Sequence, residues 1–176
     1  MPQVVHDIEQ VDEVTLLIGL HFSSRLSFKS HIDNVASTVG QRFYLLKQLH
    51  SQGLELKAQS VVCNALVVSK IVYACQSYYG YITESELGKL QSLLNRAHRL
   101  RLTEQKLNIK DHFEVADKRL FKRIVDNDQH CLNRFLRHKP LDYRRLRKRG
   151  HSFSLPVIKT EQHRMSFISR CLLKFM

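Results

Sequence analysis

The sequence predicts a mainly α-helical protein: a helical bundle, preceded by a short β strand or hairpin and followed by a basic helical annex. Three observations predict it. Apolar residues recur at helical spacing through most of residues 30–124. Start and stop residues punctuate that pattern at Gly53, Gly80 and Thr83. The one run dense in β-branched and aliphatic residues lies near the front, over Val14 to Phe22. A chain of 176 residues with 43% hydrophobic content can bury one core, or one bundle with a less compact annex. The expected divisions are a β element over 1–29, a three-helix bundle over 30–102 and the annex over 103–176.

Residues 1–13 are acidic and weakly patterned. Val14 to Phe22 reads as a strand with Gly19 as a bulge or a point of close approach. From Ser30 the period becomes helical: Ile32, Val35, Ala36, Val39, Phe43, Leu46 and Leu49 share a face, and Gly53 stands where a C-terminal cap is useful. Glu55 to Tyr79 carries Val61, Val62, Ala65, Leu66, Val68, Ile71, Val72 and Cys75 over most of its circumference. That pattern predicts one central bundle helix, ended by Gly80. Thr83 and Glu86 fit a capping box for a third helix with Leu87, Leu90, Leu94 and Ala97 as its buried stripe. Farther on, Phe113, Ala116, Leu120 and Ile124 line one helical face, and a short helix around Leu132, Phe135 and Leu136 stops before Pro140. Arg144 to Arg149 is too dense in like charge to pack and is expected to be extended or disordered when free. Order resumes at Leu155-Pro156, and Thr160 caps a last helix carrying Ile168, Cys171, Leu172 and Phe175.

The net charge of +12 is unevenly spread. Residues 1–88 hold 6 Lys/Arg against 8 Asp/Glu, residues 89–151 hold 18 against 7, and residues 152–176 hold 4 against 1, giving −2, +11 and +3. One block carrying nearly all the excess is the footprint of a polyanion-binding surface, because each neutralised phosphate releases counterions. A soluble basic helical face, or affinity for an anionic membrane or acidic protein, explains the same composition. No secretory signal opens the chain. The longest apolar stretch, Val61 to Cys75, is interrupted by Asn64, Ser69 and Lys70 and falls short of the ~20 residues of a membrane span. A nuclear or cytoplasmic protein without a membrane partner is expected. Cys63, Cys75, Cys131 and Cys171 form no Cys-x-x-Cys pair, so reduced thiols are the simplest account.

Catalytic signatures are missing. Two-metal nucleotidyl transfer needs paired carboxylates, and the chain has no Asp-Asp pair. Asp7, Asp12, Asp33, Asp111, Asp117, Asp126, Asp128 and Asp142 are scattered, mostly at helix starts or on charged faces. There is no phosphate-binding Gly-rich loop, no Gly-x-Ser-x-Gly elbow and no His-Glu-x-x-His. Independent catalysis and a metal site are therefore not expected. No two of the ten histidines are three or four apart on one helix. His31 stands out because it opens a helix, where its imidazole is placed to cap the helix or to bond the preceding strand, with direct contact to nucleic acid as the alternative.

Three blocks carry a family resemblance. The first is Leu16-Leu17-Ile18-Gly19-Leu20-His21-Phe22 with the turn Phe28-Lys29-Ser30-His31-Ile32. The second is Gln41-Arg42-Phe43-Tyr44-Leu45-Leu46, then Ala65-Leu66-Val67 and Ile71-Val72-Tyr73-Ala74 closing on Tyr78-Tyr79-Gly80. The third is Tyr143-Arg144-Arg145-Leu146-Arg147, Leu155-Pro156, Thr160 and Ser166-Phe167-Ile168-Ser169-Arg170-Cys171. In order and spacing they resemble the C-terminal thumb and post-thumb region of reverse transcriptases from non-LTR (LINE-type) retrotransposons. The chain departs from that pattern at Ile18, where the family has an aromatic or Leu before the glycine, and at Phe28, where Trp is common.

The resemblance implies a thumb-like bundle behind a primer-grip-like β element, in an RNA-directed DNA polymerase whose fingers and catalytic palm lie outside this chain. It implies no cofactor here, since Mg²⁺ would belong to the palm. Its partners would be template RNA, an RNA–DNA hybrid or target DNA, together with the missing palm and fingers. Gly19 would let the backbone approach the primer. The helix strip of Asn34, Ser37, Thr38 and Gln41, small and uncharged, would face a wide minor groove, although an ordinary solvated face has the same composition. Arg96, Arg99, Arg101, Lys118, Arg119, Lys122, Arg123, Arg144, Arg145, Arg147, Lys148 and Arg149 would hold phosphates. Two other readings remain open at this point: a stand-alone RNA- or DNA-binding helical module, and a protein-interaction bundle that uses the apolar strand.

Overall fold

The computed structural model of the chain describes residues 15–137 and 153–176. The acidic leader and the Arg144 to Arg149 run lie outside the described residues. The fold is mainly helical with a short β element in front, as the periodicity predicts.

The front element is a hairpin rather than one strand through Val14 to Phe22. Strand β1 (Thr15–Leu17) pairs antiparallel with β2 (Leu20–Phe22), with Leu17 opposite Leu20. The turn is Ile18-Gly19, both at positive φ (49° and 79°), which is the backbone of a type I′ hairpin turn. Gly19 is thus a turn residue, not a bulge. The Ser-rich loop folds back on itself through Leu26 N to Ser23 O (2.8 Å) and Ser27 N to Ser23 Oγ (3.2 Å). It delivers the buried Phe28 ring against Phe22, Tyr78 and Tyr81.

Helix α1 (Lys29–Ser51) buries Ile32, Val35, Val39, Phe43 and Leu46. It ends in a Schellman motif: Leu54 N donates to Leu49 O (3.2 Å) and Gly53 N to His50 O (3.1 Å), with Gly53 at φ 86°. The next apolar run is not one continuous helix buried over most of its circumference. It comprises α2 (Leu56–Cys63), a π-helical turn (Asn64–Val68), α3 (Ser69–Val72) and, after a break at Tyr73-Ala74, α4 (Cys75–Tyr78). Its buried stripe is Gln59, Cys63, Val67, Ile71 and Cys75, with Val68 also buried beside Val67, while Val61 and Tyr73 are exposed. Residues spaced by fours advance about 40° around an α-helix at each step, so the stripe would wind off α1. The extra residue of the π turn resets it. Arg42 of α1 donates to Leu66 O inside that turn, and Ser69 Oγ donates to Ala65 O. At the break, Ala74 is left-handed (φ 51°), and the fully buried Tyr78 hydroxyl reaches back to Ile71 O. By length and composition the 23-residue segment Leu56–Tyr78 passes as a membrane span, with an 18-residue window of mean hydropathy 1.4. Here the π turn and the break interrupt it, and its stripe packs on α1.

Helix α5 (Glu84–Arg99) starts at the predicted capping box: Thr83 Oγ1 accepts from Glu86 N (3.2 Å), and Glu86 Oε2 accepts from Thr83 N (2.7 Å). Asp33 pairs with Lys89 and Phe43 underlies Arg96, so α1 and α5 run in the same direction. Helix α6 (Ile109–Asp126) is capped by Asn108 and pinned to α5 by Gln91, which accepts from Ile109 N (2.9 Å) and donates to Leu107 O (3.0 Å). Its buried face is Ile109, Phe113, Asp117, Phe121 and Ile124, and Ala116 and Leu120 sit half-buried beside it. Ile109 and Phe113 belong to the main core. Phe121 and Ile124 belong to a second cluster with Leu136, Phe153, Cys171 and Leu172. Residues 133–135 form a single 3-10 turn. Thr160 accepts from His163 N (3.2 Å) and caps α7 (Glu161–Met165), but Ser166 in extended conformation divides the last helix and starts α8 (Phe167–Phe175).

Candidate nucleic-acid interface

The cations expected to hold phosphates fall into two described groups. On α6, Lys118, Arg119, Lys122 and Arg123 occur as two i, i+4 pairs. They form one exposed face about 7.5 Å long, opposite the buried Phe121 and Ile124. At the end of α5, Arg96, Arg99 and Arg101 are exposed. Arg96 lies 5.2 Å over the Phe43 ring, which joins this group to α1. None of the seven has a carboxylate partner among the described residues, whereas Lys89, Lys110, Arg164, Arg170 and Lys174 each do. Arg101 sits at φ 53° in a Schellman motif, with Arg101 N on His98 O (2.9 Å) and Leu102 N on Ala97 O (3.0 Å). Glycine is the residue that position favours. No described contact joins the α6 group to the α5 group, and Arg144, Arg145, Arg147, Lys148 and Arg149 lie outside the described residues.

Gly19 is exposed at the hairpin tip, where Tyr73 Oη donates to Ile18 O (3.1 Å) and a Cβ would meet the Tyr73 ring at 3.7 Å. The hairpin is thus tied to the break after α3. Leu17 and Ile18 are 56% and 79% exposed, an apolar tip with nothing over it among the described residues. On α1, Asn34, Ser37 and Gln41 are exposed and Thr38 is half-buried. Tyr44 extends the uncharged strip by one turn. Asn34 Nδ2 and His21 Nε2 are 3.1 Å apart, linking strip and hairpin.

No family model, curated protein or solved structure matches the chain. The geometry therefore carries the functional argument, and three of its features were not foreseen in the sequence. His31 neither caps α1 nor bonds the strand. It is buried against Tyr78 (5.1 Å between rings) and His21 (6.4 Å), and its ring nitrogens lack a hydrogen-bond partner among the described residues. Burial, followed by the nearby charge of Lys70 and then His21, pulls its pKa down to about 4.

Asp117, expected on a charged face, is 3% exposed and forms a bidentate pair with Arg170 (2.9 and 3.1 Å to one guanidinium nitrogen, 3.2 Å to Nε). Burial pushes its carboxyl up, and the guanidinium opposes that shift. Arg170 also donates to Met165 O (3.0 Å) and covers the Tyr79 ring at 5.1 Å. Gly80 does more than end a helix: a Cβ there would stand 2.0 Å from Met165 O. An acid and an arginine 53 residues apart leave no local pattern, so only the three-dimensional structure reveals this clasp.

Cys63, Cys75 and Cys171 are buried, and burial pushes their thiols up to about 11, 12 and 12. Among the described residues, no group of three or more His, Cys, Asp or Glu is arranged to hold a metal ion.

Proposed function

We propose that this chain binds nucleic acid through its exposed cations that meet no carboxylate among the described residues, as the thumb-like and post-thumb part of a retrotransposon RNA-directed DNA polymerase, with catalysis belonging to that polymerase's palm domain. The observation that carries the binding reading is the clustering of exposed cations that meet no carboxylate among the described residues: four share the α6 face and three stand at the end of α5. Of the paired cations, Lys89, Lys110, Arg170 and Lys174 each bridge two helices, and Arg164 pairs within its own. Such faces attract phosphate without reading sequence. Arg101 strengthens the case, because an arginine in a left-handed position suited to glycine gives up stability to keep its charge. The polymerase context rests on the three sequence blocks and on a hairpin held ahead of the bundle, with Gly19 at its tip beside the uncharged α1 strip.

The exposed apolar tip at Leu17 and Ile18 favours a second reading, a protein-interaction bundle that adds its hairpin to another sheet. Binding of the purified chain to a labelled RNA–DNA hybrid at low salt separates the two. The polymerase reading expects tight binding, weakened when Arg144, Arg145, Arg147, Lys148 and Arg149 are changed to Gln. Absence of binding to hybrid, single strand and duplex alike would refute it.

A further inference from the structure

A cavity of about 710 Å³ opens between the 3-10 turn, the extended segment 154–159 and helices α7 and α8. That volume lies in the range of about 300–1,000 Å³ typical of sites for small organic groups. Its described walls combine apolar surface, from Phe135, Val157 and Phe167, with the cations Arg134, Arg137 and Lys159, and include no Asp or Glu. None of the three cations has a carboxylate partner among the described residues, although Arg164, Arg170 and Lys174 close by in sequence are all paired. Phe135 is 53% exposed and Val157 80% exposed, so the apolar wall is open to a ligand as well as the charge. The Arg134 guanidinium lies 5.0 Å over the Phe135 ring, giving a layered cation and ring of the kind on which a flat heterocycle stacks.

We propose that this cavity takes one unstacked nucleotide of a single-stranded nucleic acid, its base against the Arg134 and Phe135 layer and its phosphate toward Arg137 and Lys159. The proposal deepens the nucleic-acid reading above and rests on it. A surface that held only phosphates would gain nothing from an exposed aromatic wall. An apolar partner would gain nothing from three unpaired cations. A flat base covalently joined to a phosphate uses both.

The full chain is titrated with a labelled single-stranded oligonucleotide and with an abasic strand of the same length and charge. The same pair is measured on Phe135→Ala, with far-UV circular dichroism to show that the variant is folded. The proposal expects the base-bearing strand to bind on the order of tenfold tighter. It expects Phe135→Ala to erase that preference while leaving affinity for the abasic strand unchanged, and Lys159→Gln to weaken both strands alike. Equal affinity for the two strands, or a preference that survives Phe135→Ala, would overturn the pocket and leave the phosphate-binding reading standing. Displacement of the oligonucleotide by polyglutamate of equal charge at equal concentration would overturn it in favour of an acidic protein ligand. Binding of neither strand would overturn the pocket, and absence of binding to an RNA–DNA hybrid and to duplex as well would overturn the nucleic-acid reading itself.

Discussion

His31 makes stability depend on acid. Its folded pKa lies near 4, against an ordinary value of 6.5. Between those values the unfolded chain binds the proton and the folded chain does not, so stability rises with pH across the window and is lost as pH falls from 6.5 toward 4. At pH 5 the loss relative to neutral pH is about 2 kcal/mol. The flanking charges of Lys70 and His21 act in the same direction. Denaturant unfolding at pH 7.5 and pH 5 checks this: His31→Phe flattens the difference, and an unchanged pH slope in that variant would assign it to other groups. Cysteine chemistry divides in the same way. Three thiols are buried with raised pKa values, and Cys131 is exposed beside His130. Because the thiolate is the reacting species, a thiol-specific reagent on the native protein should label Cys131 quickly and the others only on unfolding. Cys131→Ser should remove the fast phase, and fast labelling of Cys63, Cys75 or Cys171 would contradict the packing described.

At the scale of elements, two left-handed residues give opposite lessons from one geometry. Ala74 breaks the apolar run, and Arg101 follows α5. If the run were one helix, Ala74→Gly would cost about 1 kcal/mol. In the broken form it should instead stabilise by about 1 kcal/mol, because glycine relieves the left-handed strain. Arg101→Gly should raise the melting temperature for the same reason while lowering affinity for nucleic acid. A loss of both would make Arg101 a structural residue. Helices α1 and α5 were legible because each signal is local: the Gly53 stop directly follows the α1 stripe, and the Thr83 capping box directly precedes the α5 stripe. The π turn was not foreseen, although its trace is in the sequence. Apart from Val68 in the π turn, the buried positions from 59 to 75 are 59, 63, 67, 71 and 75; they advance by fours, a pattern no straight α-helix keeps on one side. Gln59 disguised that pattern by being polar. Its side-chain amide nitrogen donates to Leu46 O (2.7 Å).

For the whole molecule, the Asp117–Arg170 pair and Gly80 join the C-terminal helices to the rest. Helix α6 starts in one core and ends in the other, and Arg170 reaches across to the Tyr79-Gly80 corner. Removing one partner, as in Asp117→Leu or Arg170→Met, should cost about 3–5 kcal/mol by leaving a buried charge uncompensated. The double variant should cost less than either single one. Gly80→Ala, which puts a methyl group into the Met165 carbonyl, should lower hydrogen-exchange protection in α8 before α1.

None of this clasp was visible in the sequence, because its parts are distant along the chain. The charge asymmetry was visible in full, and it bears most directly on function. The decisive measurement is affinity for a labelled RNA–DNA hybrid across a salt series, for the intact chain and for a variant with Lys118, Arg119, Lys122 and Arg123 changed to Gln. Log affinity should fall linearly with log salt, and the variant's slope should be shallower by about 2–4. Affinity indifferent to salt, or an unchanged slope in the variant, would contradict the proposed phosphate binding.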